Sequence, residues 1–398
     1  MNPTILNSEE LIQSYTWTTS LETDDPYDVW KTALGFKVKH LYNNNQLLGL
    51  LPAAGLTVFD TYVNNSARMF YQKQEYPIVR ALAAQTLLNL YQKQPSETTL
   101  GWVKCHLDWL IENRCNGYNG YGWGLGFEYA VDANFSYSRN TPFSTMTPYM
   151  LEAFVLYENI TEEGRYRDAI LAIYRFFSED IQVLDSGDDW IATSYTPMKD
   201  RIVINANSYA LLAHVLCMPF LDQPQQQQAA DRARKLYRFV QQQQQEDGSW
   251  MYALKDNSFI DCFHSCIVVK NLHKASQELV LPGAEECVSS GWQYIKHAMF
   301  DGNAGLFRRF SVKNKPGLVK FDLYDNAEAM NLATLLGEQQ FARQLNQQIR
   351  ATFMTEKGIY SQIEALGSKR NLNFLRWAVM PYLYALSCGI SQTSPTNA

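Results

Sequence analysis

Pairs of segments with a 3.6-residue apolar period recur about every 60 residues along this 398-residue chain, and polar, aromatic-rich loops interrupt them always at the same phase. First members of the pairs fall near 76–93, 144–159, 205–218, 261–279, 324–337 and 371–388; second members fall near 98–113, 163–178, 226–245, 284–300 and 339–353. Two further helical segments, near 7–18 and 26–35, precede them. Helical hairpins of this size cannot bury their apolar faces alone, so they have to stack or close into a ring. With the N-terminal helices completing the sixth unit, the expected product is an all-α (α/α)6 toroid formed by residues 1–398 as a single domain. In such a ring all the long loops collect on one rim.

Composition limits what can happen at that rim. A hydrophobic share of 46% is enough to bury one large core. Net charge is −6 and no run of Lys or Arg exceeds two residues, so the cationic footprint of a nucleic-acid binder is missing. No uninterrupted apolar stretch reads as the roughly 18 residues of a membrane span. The start, MNPTILNSEELIQ, lacks the basic and apolar regions of a secretory signal, and a cytoplasmic location is expected. Cys105, Cys115, Cys217, Cys262, Cys266, Cys287 and Cys388 form an odd set without C-x-x-C, which reads as buried thiols rather than a disulfide framework or zinc site. No ligand cluster or phosphate-cradling glycine motif calls for a metal or nucleotide cofactor. The glutamine stretches at 224–228 and 241–245 flank Leu236, Phe239 and Val240, and so read as the polar ends of one outer helix.

Helix N-termini carry unpaired N–H groups and partial positive charge, so six of them around one cleft suit an anionic or polyhydroxyl ligand. The longest loop contains GYNGYGWGLGFEYAVDANFSYSRNTPFS, with Asp132, Tyr137, Arg139, Asn140 and Thr141 just ahead of the helix at 144. Its glycines would let Trp123, Phe127 and Tyr129 approach a ligand. Asp261 and His264 stand three apart at a helix start, where a carboxylate can orient an imidazole for proton transfer. Asp322, Asp325 and Glu328 bring three carboxylates to the next first-segment start, where crowding raises one pKa. Before them, Arg308, Arg309, Lys313, Lys315 and Lys320 form a locally basic strip. Arg201, Asn205 and Asn207 begin one segment, and Asn373, Arg376 and Trp377 begin another. Each group also has a plainer reading: Asp261, Asp325 and the asparagines as helix caps, Arg139 in an ion pair, the tryptophans as packing. Their common phase in the repeat is what joins them.

Two resemblances follow from quoted residues. QQQQQEDGSW, with Gln244, Gly248 and Trp250, is similar to the glutamine-tryptophan repeat that braces outer helices in triterpene cyclases, whereas DSGDD at 185–189 does not fit the cyclase acid motif. The series GYGWGLGFEY, RNTPFSTMTPYMLEAF, NANSYALLAHVL, EDGSWMYALKDNSFIDCFHSCIVVKNL and GLFRRF, spanning about 100–390, resembles polysaccharide-biosynthesis proteins of the VpsJ type. Those in turn resemble the α/α-toroid domain of glucuronyl C5-epimerases. The resemblance implies an extended-sugar substrate, with proton abstraction beside a uronic carboxylate, or else hydrolysis, as the reaction. On that reading His264, Asp261, Glu328, Asp325 or Tyr137 moves protons, Arg139 and Arg376 hold the carboxylate, Asn140, Asn205, Asn207 and Asp322 bind hydroxyls, and Trp123, Trp250 and Trp377 stack on sugar faces. A non-catalytic glycan-binding scaffold and a terpenoid cyclase-like enzyme are the rival readings, and the oligomeric state stays open.

Overall fold

The computed structural model describes residues 2–131, 135–254, 258–313, 317 and 319–391. In chain order its α-helices are α1 (Ser8–Thr16), α2 (Asp28–Lys31), α3 (Ala33–Asn44), α4 (Gln46–Val58), α5 (Pro77–Lys93), α6 (Glu97–Glu112), α7 (Thr147–Thr161), α8 (Arg167–Arg175), α9 (Ile204–Cys217), α10 (Gln223–Gln242), α11 (Cys262–Glu278), α12 (Ala284–Met299), α13 (Leu323–Leu335), α14 (Gln339–Phe353) and α15 (Met380–Ser391).

Two kinds of helix alternate, and side-chain pattern separates them. In α5 every residue from Pro77 to Leu90 is buried, whereas α10 buries only the stripe Ala229, Ala233, Leu236, Tyr237, Phe239 and Val240. A helix buried on all sides lies inside, even where Arg80, Gln85 and Asn89 interrupt its apolar residues, and one that buries a single stripe lies on the perimeter. Accordingly α5, α7, α9, α11, α13 and α15 form an inner ring in which each touches the next and α15 returns to α5. Helices α6, α8, α10, α12 and α14 pack outside their predecessors. The sixth outer position is filled by α1, which lies against both α15 and α5 through the fully buried Leu11 and Ile12. The fold is an (α/α)6 toroid whose last hairpin is made from the two ends of the chain.

Caps mark the boundaries. Asn7 and Glu10 form a capping box on α1, Ser96 caps α6, and Asp222 caps α10 just ahead of Pro224. The glutamine-rich segment is indeed one outer helix, braced at its far end by Trp250, whose indole N–H donates to Val240 O (2.9 Å).

Three local expectations need correction. The segment near 26–35 is not one helix: a short α2 leads into a helical hairpin, α3–α4, for which the repeat has no place. Gln46–Val63 is 18 residues long with a mean hydropathy of 1.2, only 17% buried, so one helical stretch among the described residues is long and apolar enough to cross a membrane. Gly49, Pro52, Gly55 and Thr57 break up its apolar look in the sequence. The last inner helix starts at Met380, not near 371, because Gly358–Glu364 pairs antiparallel with Met354–Thr355, Lys369–Leu372 and Val319–Asp322 in a small rim sheet.

Candidate functional site

First turns of the inner helices, and the loops feeding them, enclose a cavity of about 540 Å³, within the roughly 300–1,000 Å³ usual for small-molecule sites. All six units contribute: Ile78 from α5, Tyr149 from α7, Asn205 and Tyr209 from α9, Phe263 and His264 from α11, Tyr324 from α13, and Arg376 with Trp377 from the bend ahead of α15. Six helix N-termini converging on one space give it a positive bias before any side chain is counted.

Asp261 ends a short strand and His264 sits in the first turn of α11, so the i, i+3 spacing stacks them. Nδ1 of His264 lies 2.8 and 2.9 Å from the two Asp261 oxygens. A carboxylate only accepts, so Nδ1 carries the proton and Nε2 is left as the basic atom. Asp261 is 2% exposed, while the imidazole keeps access to the cavity between the Tyr252 ring (4.6 Å) and the Phe263 ring (3.8 Å).

Three guanidinium groups reach the same wall. Arg376 is bound by both oxygens of buried Asp25, at 2.5 and 2.8 Å. Arg309 donates to Asp322 Oδ2 at 2.8 Å. Arg201 differs: it has no ion pair among the described residues, its Nε is buried without a hydrogen-bond partner, and its guanidinium rests 4.6 Å from the Tyr195 ring. The neighbouring Asp200 is already used, accepting from the Tyr137 hydroxyl and, at 3.1 Å, from Thr196 N–H. Asn205 adds a buried Oδ1 with no partner. A buried polar atom left unpaired costs about 1–3 kcal/mol, so an anion with hydroxyls would satisfy what the protein does not.

Phenols complete the polar lining. Tyr209 OH donates to Tyr149 OH (2.7 Å), and Tyr149 OH is 3.1 Å from Tyr324 OH. Burial pushes the pKa of all three, and of Tyr252, well above the ordinary tyrosine value, keeping them neutral donors.

Behind this wall lies a buried charged layer. Asp325 is fully buried, accepts Phe263 N–H at 3.0 Å through Oδ1, and leaves Oδ2 unpaired. Burial raises its pKa well above the ordinary carboxylate value, with Arg309 opposing the shift and Asp322 and Asp261 adding to it. Glu328 pairs with Lys270 at 2.7 Å between α13 and α11.

Of the residues singled out in the sequence, the cavity brings together His264, Asp261, Tyr137, Asn205, Arg376 and Trp377, along with Phe127, Tyr129, Arg201 and Arg309. Others lie elsewhere. Trp123 is 0% exposed, donates from its indole to Leu110 O (2.8 Å) and packs on Phe154: it is core, not a stacking surface. Its loop glycines serve packing too, since a Cβ on Gly120 would meet Phe176 N at 2.0 Å. Arg139 is exposed and off the cavity wall, and Asn140 staples its loop to both backbone groups of Asn116. Asn207 is buried and bonds Thr193 and Val203, and Trp250 is the helix brace described above. Asp322 caps α13 and holds Arg309 and Gln362, while Asp325 and Glu328 stand behind the lining. Asp132 and Lys315 fall outside the described residues.

Missed altogether were Tyr27, Tyr195 and Tyr252 and the phenols Tyr149, Tyr209 and Tyr324, and Arg201 was noted without its lack of a partner. Tyr27 comes from the N-terminal segment, whose apolar period gives no hint of the cavity. The available signal was tyrosine density in the loops, 24 in the chain, but it cannot say which rings turn inward.

The chain matches no protein-family model, and no curated protein matches it in sequence. Solved structures do resemble it. Cellobiose 2-epimerase from Bacillus thermoamylovorans aligns over 80% of this chain and 88% of its own, with TM-score 0.59 and 13% identity. A GH76 α-mannanase from Bacteroides thetaiotaomicron aligns over 89% and 98%, with TM-score 0.60 and 10% identity. A polysaccharide lyase aligns over 92% and 99%, with TM-score 0.55 and 8% identity. At such identities the likeness establishes the α/α-toroid fold.

Proposed function

We propose that this chain is a carbohydrate-modifying enzyme acting on an acidic sugar unit by proton abstraction beside a carboxylate, of epimerase or lyase type, in polysaccharide assembly or modification. One observation carries the reading: an Asp-oriented imidazole and an unpaired arginine face the same aromatic cavity. Arg201 pairs with the sugar carboxylate, and Trp377 offers a ring to a sugar face. Nε2 of His264 takes the hydrogen from the carbon next to the carboxylate, the electron pair moves into the carboxylate, and Arg201 balances the added charge. A neutral phenol of the Tyr149–Tyr209–Tyr324 chain then gives its proton to the opposite face and regains one from solvent as His264 sheds its own, or a β-substituent departs with the electron pair and is protonated as it leaves. Hydrolysis by a carboxylate pair is less well served, because Asp261 is the one carboxylate on the wall among the described residues and it is engaged by His264. The sugar enzymes among the structural neighbours support the substrate class.

Incubating the protein with uronic oligosaccharides in D2O tests this. Deuterium should enter at the carbon beside the carboxylate if the sugar is epimerised, or an unsaturated uronate should form if the β-substituent leaves, with wild type and not with His264→Gln, and neutral oligosaccharides should show neither change. A His264→Gln protein that exchanges at the wild-type rate ends the proposed role of the imidazole.

A further inference from the structure

Helix α4 has its apolar side on the wrong face. Leu47, Leu50, Leu51, Ala54 and Val58 recur at helical spacing and all face solvent, with Leu47 89% and Leu51 80% exposed, whereas the stripe against α3 is built on Gly49, Pro52, Ala53 and Leu56. Leu34 and Leu41 on α3, and Tyr62, Val63 and Phe70 beyond α4, extend the exposed surface. An apolar face of this kind on a folded protein marks a partner or a lipid surface.

Charge chooses between them. From Ala33 to Val58 there are two lysines, Lys37 and Lys39, one histidine and no carboxylate, in a chain whose net charge is −6. Lys37 and Lys73 are exposed and have no acidic partner among the described residues. A second copy of the hairpin would set like charges against each other, whereas an anionic bilayer offers both apolar depth and opposite charge. The hairpin lies on the surface and does not cross it: the end of the apolar stretch returns to the protein, where Asp60 and Thr61 are buried and Arg370 donates to Thr61 Oγ1 at 2.9 Å.

We propose that the α3–α4 hairpin is a docking lobe for an anionic lipid bilayer. It stands beside the cavity mouth: α3 packs on the strand Tyr129–Ala130, and Lys39 Nζ lies 3.9 Å from the ring of Tyr129, which lines the cavity. Docking on this lobe sets the mouth close to the headgroups, where a glycan joined to a lipid would enter. That consequence rests on the proposed function, but the docking itself does not.

Vesicle co-sedimentation of the full chain tests docking without any activity assay. Wild type should bind phosphatidylcholine–phosphatidylglycerol vesicles, bind phosphatidylcholine vesicles weakly, and release with added salt. The variant L47Q/L50Q/L51Q should lose about 100-fold in vesicle affinity, and K37E/K73E should lose the preference for phosphatidylglycerol. Both should melt at the wild-type temperature, since the replaced groups are exposed. Failure of wild type to bind either vesicle, or equal binding by the leucine variant, overturns the proposal. So does a wild-type dimer in light scattering that the leucine variant converts to a monomer, which would give the face to a second copy.

Discussion

His264 and Asp261 were legible in the sequence because an i, i+3 pair at a helix start depends only on local geometry. Asp261→Asn keeps the hydrogen-bonding shape and removes the charge, so kcat on a uronic substrate should fall about 100-fold or more with KM little changed. Arg201→Gln should instead raise KM, and only for substrates bearing the carboxylate. Two histidines outside the site make a separate prediction. Arg80 donates to His106 Nδ1 (3.0 Å), leaving Nε2–H to donate to Thr16 O (2.9 Å). Burial, with Arg80, lowers the His106 pKa to about 4. Burial, with Arg232, lowers that of His214 to about 3, and neither His214 nitrogen has a partner. Both are neutral when folded but protonate near 6.5 when unfolded. Their contribution is therefore complete above pH 6.5 and is lost as pH falls toward 4 for His106 and toward 3 for His214, on the order of 3 kcal/mol for His106. Chemical denaturation across that window checks the slope. His214→Leu should reduce it and raise stability by about 1 kcal/mol at pH 7, because it removes two unsatisfied buried atoms.

Between elements, the ion pair Lys270–Glu328 joins adjacent inner helices α11 and α13 with both side chains buried. Lys270→Met strands a buried carboxylate and should cost about 3–5 kcal/mol, while Lys270→Met with Glu328→Gln should recover most of it. Urea unfolding of the two variants gives the comparison. Glu328 had been read from its spacing as a rim acid, and its opposite number on α11 lies 58 residues away in sequence, beyond any local pattern. The same limit explains Asn207 and Trp250, whose side chains are consumed by Thr193 and Val240. Helix periods also concealed elements that break them: the α3–α4 hairpin with its glycines and proline, and the rim sheet around Gly358–Glu364.

At the scale of the whole molecule, the inner ring closes through α15 on α5, and α1 fills the sixth outer place against both. Removing residues 1–18 uncovers Leu11 and Ile12 contacts and takes away the Thr16 carbonyl that His106 holds. Roughly 4 kcal/mol or more should be lost, and calorimetry should find a lower, broader transition. The recurrence of paired helical segments about every 60 residues, with loops at one phase, was enough to expect the toroid and to gather the loops on one rim, since both follow from 3.6-residue geometry along a single chain. Which side chains turn into the cavity, which are consumed as caps and braces, and which cavity arginine has no ion pair among the described residues were decided only by the tertiary structure, because burial and pairing are set by neighbours from distant parts of the chain.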